Sequence, residues 1–226
     1  MKIKKLNLYT SQIDAQKKFY GDTLGLEINR STEAEISFNA GNTILRFIKK
    51  SNFKPYHFAF NISPNKVSEA LAWLQERVKI QKDGDYNVVD FPAWNAESIY
   101  FYDADNNIVE FIARKNLATR NSKPFTANDI LEVSEIGLAT KDFKEKYDFL
   151  TSKVGVAKFG GGKKVFSALG SETGLFILID INEKNWFPTN DTAFAADFTA
   201  EIELDGVHKT VEFKSESVSL EDGNGV

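Results

Sequence analysis

Two charged residues stand at equivalent positions where apolar ones would be ordinary. The stretch Asn42-Thr43-Ile44-Leu45-Arg46-Phe47-Ile48 recurs as Asn106-Asn107-Ile108-Val109-Glu110-Phe111-Ile112, so Arg46 and Glu110 each lie between two isoleucines. A strand puts every second residue on one face, and a charge held there among apolar side chains needs a partner, a metal or a ligand. A guanidinium stays protonated and can grip a carboxylate or oxyanion through two hydrogen bonds, whereas a carboxylate can ligate a cation or act on a proton. Aromatic residues accompany them. Tyr100 and Tyr102 share a strand face with Ser98, and with Tyr9 and Trp94 they could line a pocket, although aromatics on strands also serve ordinary sheet packing.

The repeated phrase closes a repeated unit. Residues 3–10 alternate, with Leu6 and Leu8 on one face and Lys5, Asn7 and Tyr9 on the other. Helical spacing over 13–24 follows, with Ser11 as a cap and Gly25 as the stop, then short strands at 26–29, 34–39 and 43–49 joined by a Gly41-Asn42 turn. The second unit repeats this order. A strand over 56–62 puts Phe58, Phe60 and Ile62 opposite His57, Ala59 and Asn61, a helix starts at Ser63-Pro64, and strands recur at 78–81, 97–102 and 108–113. The loop 84–95, which contains Trp94, is long enough to fold over a sheet face. After a polar stretch at 115–129, a third unit puts Ile136 and Leu138 inward and Glu135, Gly137 and Ala139 on the other face; Phe143, Tyr147 and Leu150 lie on its helix, and strands follow at 156–159, 164–169 and 174–180. The remainder offers alternation at 197–202, an Asp205-Gly206 turn, a strand at 209–214 and a terminus, 221–226, expected to fray.

Composition narrows the function classes. With 226 residues, 42% hydrophobic and 27% charged, the chain can bury a substantial core. A net charge of -4 with no long basic run argues against nucleic acid as a partner, and the absence of cysteine excludes thiolate ligands, thiol nucleophiles and disulfides. No signal peptide or membrane-spanning stretch is recognisable, so a cytoplasmic protein is expected.

The strand-helix-three-strand modules, the opening Ile3-Lys4-Lys5-Leu6-Asn7-Leu8-Tyr9, Phe19-Tyr20 followed by Leu24-Gly25, and Asp103-Ala104-Asp105-Asn106-Asn107-Ile108-Val109-Glu110-Phe111 resemble the vicinal oxygen chelate superfamily, which includes glyoxalase I, bleomycin- and fosfomycin-resistance proteins and extradiol dioxygenases. The resemblance implies an α+β fold of repeated βαβββ modules in cupped mixed sheets. It divides the chain into paired modules over 1–114 (1–50 and 55–114), a linker over 115–129 and a second, degenerate glyoxalase-like domain over 130–226 with a truncated last module. In such a family two modules form one cupped sheet, and metal ligands come from the first and last strands of each. Those positions here are Lys5, Arg46, His57 and Glu110.

Three arrangements of this quartet follow. In one, His57 and Glu110 hold a divalent ion, the only cofactor expected, and the protein is a lyase or dioxygenase in which they are the catalytic pair. In another, Lys5 and Arg46 replace the ion and, with Tyr100, Tyr102 and Trp94, bind an anionic or aromatic small molecule. In the third, the charges form a salt bridge in a vestigial cleft of a structural or regulatory module. A homodimer fits any of them. In the third unit and the tail, the corresponding places hold Glu135, Ile177, Asp197 and Glu212; the three carboxylates could make an oxygen-only cation site, with solvated acids the plainer account, and His208 is expected to be exposed. The Gly160-Gly161-Gly162-Lys163-Lys164 run reads as a hairpin turn, because no capped helix follows it.

Overall fold

The computed structural model describes residues 1–222. The first module is β1 (Lys2–Thr10), α1 (Ile13–Gln16, continuing as a π-helical turn over Lys17–Thr23), β2 (Glu27–Ser31), β3 (Glu35–Ala40) and β4 (Thr43–Lys49). The second is β5 (His57–Ile62), α2 (Val67–Gln75), β6 (Ile80–Gln81), β7 (Val89–Phe91), β8 (Ala96–Tyr102) and β9 (Ile108–Arg114). The third is β10 (Ile130–Thr140), α3 (Phe143–Phe149), β11 (Lys158–Gly161), β12 (Phe166–Ser171) and β13 (Gly174–Asp180). The tail is β14 (Phe198–Leu204), β15 (Val207–Lys214) and β16 (Ser217–Asp222), so the expected fraying at 221–226 does not begin before Asp222, and its remainder lies outside the described residues. No helix among the described residues is long and apolar enough to cross a membrane.

Strand pairing departs from the expectation that modules 1–50 and 55–114 share one sheet. A seven-stranded sheet runs β16-β15-β14-β1-β4-β3-β2, and a nine-stranded path runs β11-β12-β13-β10-β5-β9-β8-β6, with β7 beside β8. The first module therefore pairs with the tail, the second with the third, and segments 1–114 and 130–226 interleave. Internal repeats specify the order of strands within a module; which first strands meet across modules depends on packing. Here β1 lies antiparallel to β14, and β5 antiparallel to β10.

Burial separates the two sheets. Exposure alternates along β1 and β4, whereas all of β5 and β9 and nearly all of β10 are buried on both faces. The polar face of the larger sheet is thus covered. The opposite, apolar faces of both sheets and the helices form one continuous core that includes Leu8, Phe47, Tyr20, Phe60, Ile136 and Leu150. Gly41 (φ +57°) lets the β3–β4 turn approach β10, because a Cβ there would lie 1.9 Å from the Leu131 carbonyl oxygen. Thr43 Oγ1 bridges the sheets, donating to the Ile3 carbonyl (2.7 Å) and accepting from Val133 N (3.1 Å).

The Asp103-Ala104-Asp105-Asn106-Asn107 phrase is a structural turn. Buried Asp103 accepts from Tyr20 Oη (2.8 Å), Gln16 Nε2 (3.1 Å), Asn107 Nδ2 (2.8 Å) and the amides of Asp105 and Asn107, fastening the first module's helix to the β8–β9 turn. The segment 115–129 is likewise tied down: Phe125 is buried, and Thr126 and Asp129 form a capping box around a short 3-10 turn at Ala127–Asp129.

Candidate metal centre

In the larger sheet, register places Tyr100, Glu110, Ala59, Glu135 and Leu175 in one row across β8, β9, β5, β10 and β13. Neighbouring strands lie about 4.8 Å apart, so Glu110 and Glu135 flank β5 and reach toward each other over the small Ala59 side chain. His57, two residues before Ala59, projects from the same face. The ligand atoms of His57, Glu110 and Glu135 lie within 4.8 Å of one another, all three residues are buried, and His57 Nε2 is 3.5 Å from Glu110 Oε2. A fourth corner is visible in the register. Glu110 lies two residues beyond the partner of His57 on β9, and Ile177 lies two beyond the partner of Glu135 on β13, so an apolar residue takes the position opposite Glu110.

Surrounding groups set the chemistry. His57 Nδ1 lies 3.3 Å from the Ile108 carbonyl oxygen, which can only accept, so Nδ1 carries the proton and Nε2 offers its lone pair to the site. Burial pushes the His57 pKa down to about 4, which keeps the ring neutral. Burial also raises the Glu110 pKa, and the neighbouring Glu135 charge raises it further. Glu135 is raised by burial too, but Arg114 opposes this: its Nη2 donates to Glu135 while its Nε donates to Asn61 Oδ1 at 3.2 Å. Arg114 is fully buried and, among the described residues, its Nη1 has no partner, nor does the buried Ser98 Oγ, which lies near enough to Glu110 to draw its pKa back without completing a well-aligned hydrogen bond. One imidazole and two carboxylates fit a divalent ion, and the unpartnered Arg114 and Ser98 atoms mark a centre whose polar groups are not all satisfied within the protein.

Above the triad is a cavity of about 410 Å³. Its walls come from the β7 region (Phe91, Trp94), β12 (Phe166), β13 (Ile177, Ile179) and the loop 181–197 (Trp186, Phe187). Trp186 packs 5.0 Å from the His57 ring and against Gly137, where a Cβ would come within 2.6 Å of the indole.

Of the residues singled out in the sequence, His57, Glu110, Tyr100 and Trp94 meet at this cavity. Lys5 and Arg46 do not, which corrects their placement in one cleft with His57 and Glu110. They lie on the smaller sheet, Lys5 paired with Glu201 at 3.0 Å and Arg46 with Glu35, because β1 and β4 join the tail and not β5 and β9. Tyr102 packs beside the cavity residues and donates to Asp191 Oδ2 at 2.5 Å. Tyr9 lies under Lys50, whose Nζ is 4.4 Å from the ring; Asp197 pairs with Lys50, and Glu212 lies on β15 opposite Thr199. His208 is exposed, and the glycine run forms the β11–β12 hairpin. Glu135 is the third member of this cluster, which a reading as a solvated acid overlooks; its register to Ile177, two residues beyond its strand partner, matches that of His57 to Glu110. Arg114, four residues beyond Glu110 on the same face, lies one residue past the expected strand end. Phe91, Phe166, Trp186 and Phe187 carry no periodic signal of a shared cavity.

No family model matches the chain. Metallothiol transferase FosB from Staphylococcus haemolyticus is 32% identical over 108 residues, which cover 44% of this chain and 74% of that protein. A putative dioxygenase from Bacillus subtilis superposes with a TM-score of 0.65 at 12% identity, over 96% of this chain and 83% of the other. A glyoxalase I mutant from Zea mays gives 0.57 at 12% identity, over 96% and 89%. These two likenesses show a shared fold, and with the sequence kinship to FosB they establish that the chain belongs to the vicinal oxygen chelate superfamily.

Proposed function

We propose that this protein is a metal-dependent enzyme in which His57, Glu110 and Glu135 hold one divalent ion beneath an aromatic-walled cavity. The observation that carries this reading is the convergence of three buried ligand atoms, from three strands of one sheet, within 4.8 Å. A bound ion would supply a Lewis acid that polarises a substrate oxygen. The chain supplies the rest. Ile177 leaves the fourth corner to an outside ligand, as an open catalytic position requires. Arg114 favours the charged form of Glu135 and orients it, and the Ile108 carbonyl fixes the His57 tautomer. Tyr100, whose phenol burial pushes well above its ordinary pKa, stays protonated and can donate to an oxygen at the triad.

The donor set favours addition or proton transfer beside the polarised oxygen over oxygen insertion. Non-haem oxygenases typically use two imidazoles and one carboxylate, and the reverse ratio here is a harder, more negative set. Kinship to a protein named as a metallothiol transferase points to the same class. Thermal melting with Mn(II), Zn(II), Ni(II) or Mg(II) tests the centre. An ion at 100 times its Kd stabilises by about 2.7 kcal/mol, so a rise in Tm that is lost in His57→Gln is expected. No shift with any of the four would sink the proposal, and oxygen uptake by the Fe(II)-loaded protein with a catechol would favour a dioxygenase instead.

A further inference from the structure

The cavity above the triad is unusual in what lines it. Aromatic rings arrive from four separate elements and contact one another around the space: Trp94 stacks on Phe91 at 6.1 Å and on Phe166 at 6.4 Å, while Phe187 meets Phe91 and Tyr100 edge-on at 6.0 and 5.9 Å. Trp186 closes the side next to His57. Phe187 is 39% exposed, a large apolar ring kept at the wall instead of being buried. Charged groups are few. Lys184 is the one cation of the lining, and its ammonium sits 5.2 Å over the Phe166 ring; the lining acids are Asp90, Glu110 and Glu135.

Charge and shape together restrict the occupant. Buried Glu110 and Glu135 and the exposed Asp90 at the rim face one lysine, and with Arg114 behind Glu135 and a divalent ion the formal charges sum to a single surplus positive charge. One ionised oxygen would neutralise it. A phosphonate or another multiply charged group would place its remaining charge against aromatic walls with no donor to replace its water. A flat ring would instead exchange water for ring faces and edges, with offset-stacked and edge-on geometries already set by the wall.

We propose that the substrate of this centre is a flat aryl or comparably planar apolar molecule that presents one anionic oxygen to the triad, and not a multiply charged phosphonate. This rests on the metal-centre reading for the position of the oxygen, but the ring preference rests on the cavity wall alone. Three probes separate the contributions: benzohydroxamate and acetohydroxamate share a metal-binding head and differ in the ring, and phosphonoformate carries excess negative charge. Calorimetric titration of the Mn(II)-loaded protein is expected to give at least about tenfold tighter binding for benzohydroxamate than for acetohydroxamate, with phosphonoformate no tighter than acetohydroxamate. In Phe187→Ala the ring preference should fall several-fold while the affinities for Mn(II) and acetohydroxamate hold. Equal hydroxamate affinities, or phosphonoformate as the tightest of the three, would overturn the proposal. If Mn(II) does not bind, the metal-centre reading fails by itself, and metal-free protein titrated with 4-cresol against isobutanol decides the ring preference: saturable cresol binding that is weakened in Phe187→Ala upholds it, and no difference between the two alcohols removes it.

Discussion

Filling the centre with a divalent ion should expel one proton. In the metal-free protein burial raises both carboxyls while Arg114 draws Glu135 back toward its charged form, so the pair keeps one proton, on Glu110, well above the ordinary carboxylate range; His57 is neutral because burial pushes its pKa down to about 4. Ligation requires Glu110 without that proton. Below its raised pKa the apparent affinity should therefore climb about tenfold per pH unit, with His57 contributing no slope once neutral. Calorimetric titrations of Mn(II) at about pH 6.5 in two buffers of different ionisation heat count the proton directly, and a value near one is expected. The same group leaves a mark on stability. Glu110 has a folded pKa above its unfolded one, so its contribution is present at low pH and lost as pH rises through the folded value. His57 is shifted the opposite way, and its contribution is complete above about pH 6.5. The metal-free Tm should thus decline from that pH to about pH 8, where Glu110 ionises in the folded state, and saturating Mn(II) should remove the decline. A proton count near zero, with flat affinity through the neutral range, would refute the reasoning.

Other outcomes follow from the same geometry. Ala59→Val adds two methyl groups between the carboxylates and should weaken Mn(II) by about 10–100-fold while costing about 1–3 kcal/mol in urea unfolding. Gly137→Ala drives a methyl to 2.6 Å from Trp186 and should move the tryptophan emission and cost about 1–3 kcal/mol. Asp103→Ala strands the Tyr20 hydroxyl, the Asn107 side-chain amide and two backbone amides, and leaves Gln16 only its bond to Asp105; a loss of about 3 kcal/mol or more is expected in chemical denaturation. Lys5→Met and Arg46→Met, which touch only the smaller sheet, should leave Mn(II) binding unchanged and shift stability by no more than about 1 kcal/mol each.

The modules were legible because alternation and helical spacing are local. The strand at Thr43–Lys49 has the expected bounds, β5 presents His57, Ala59 and Asn61 opposite Phe58 and Phe60, and β10 presents Glu135 and Gly137 opposite Ile136 and Leu138. Module pairing was not legible, because it is decided by which first strands bury each other's flanks. That one difference moved Lys5 and Arg46 away from His57 and Glu110 and brought Glu135 in. The third member of the cluster was thus present in the sequence but assigned to another neighbourhood. The closing loop was also hidden. Trp186 and Phe187 belong to an aperiodic segment, and only Gly137, a small residue on the site face of β10, signals that something packs close against the sheet.

The most direct test is metal stoichiometry and affinity in wild type against Glu135→Gln, with Lys5→Met as the control. The account predicts one divalent ion per chain in wild type and in the control, and loss of tight binding in Glu135→Gln with the folded state retained. Undiminished binding in Glu135→Gln, or no ion taken up by the wild-type protein, would contradict it.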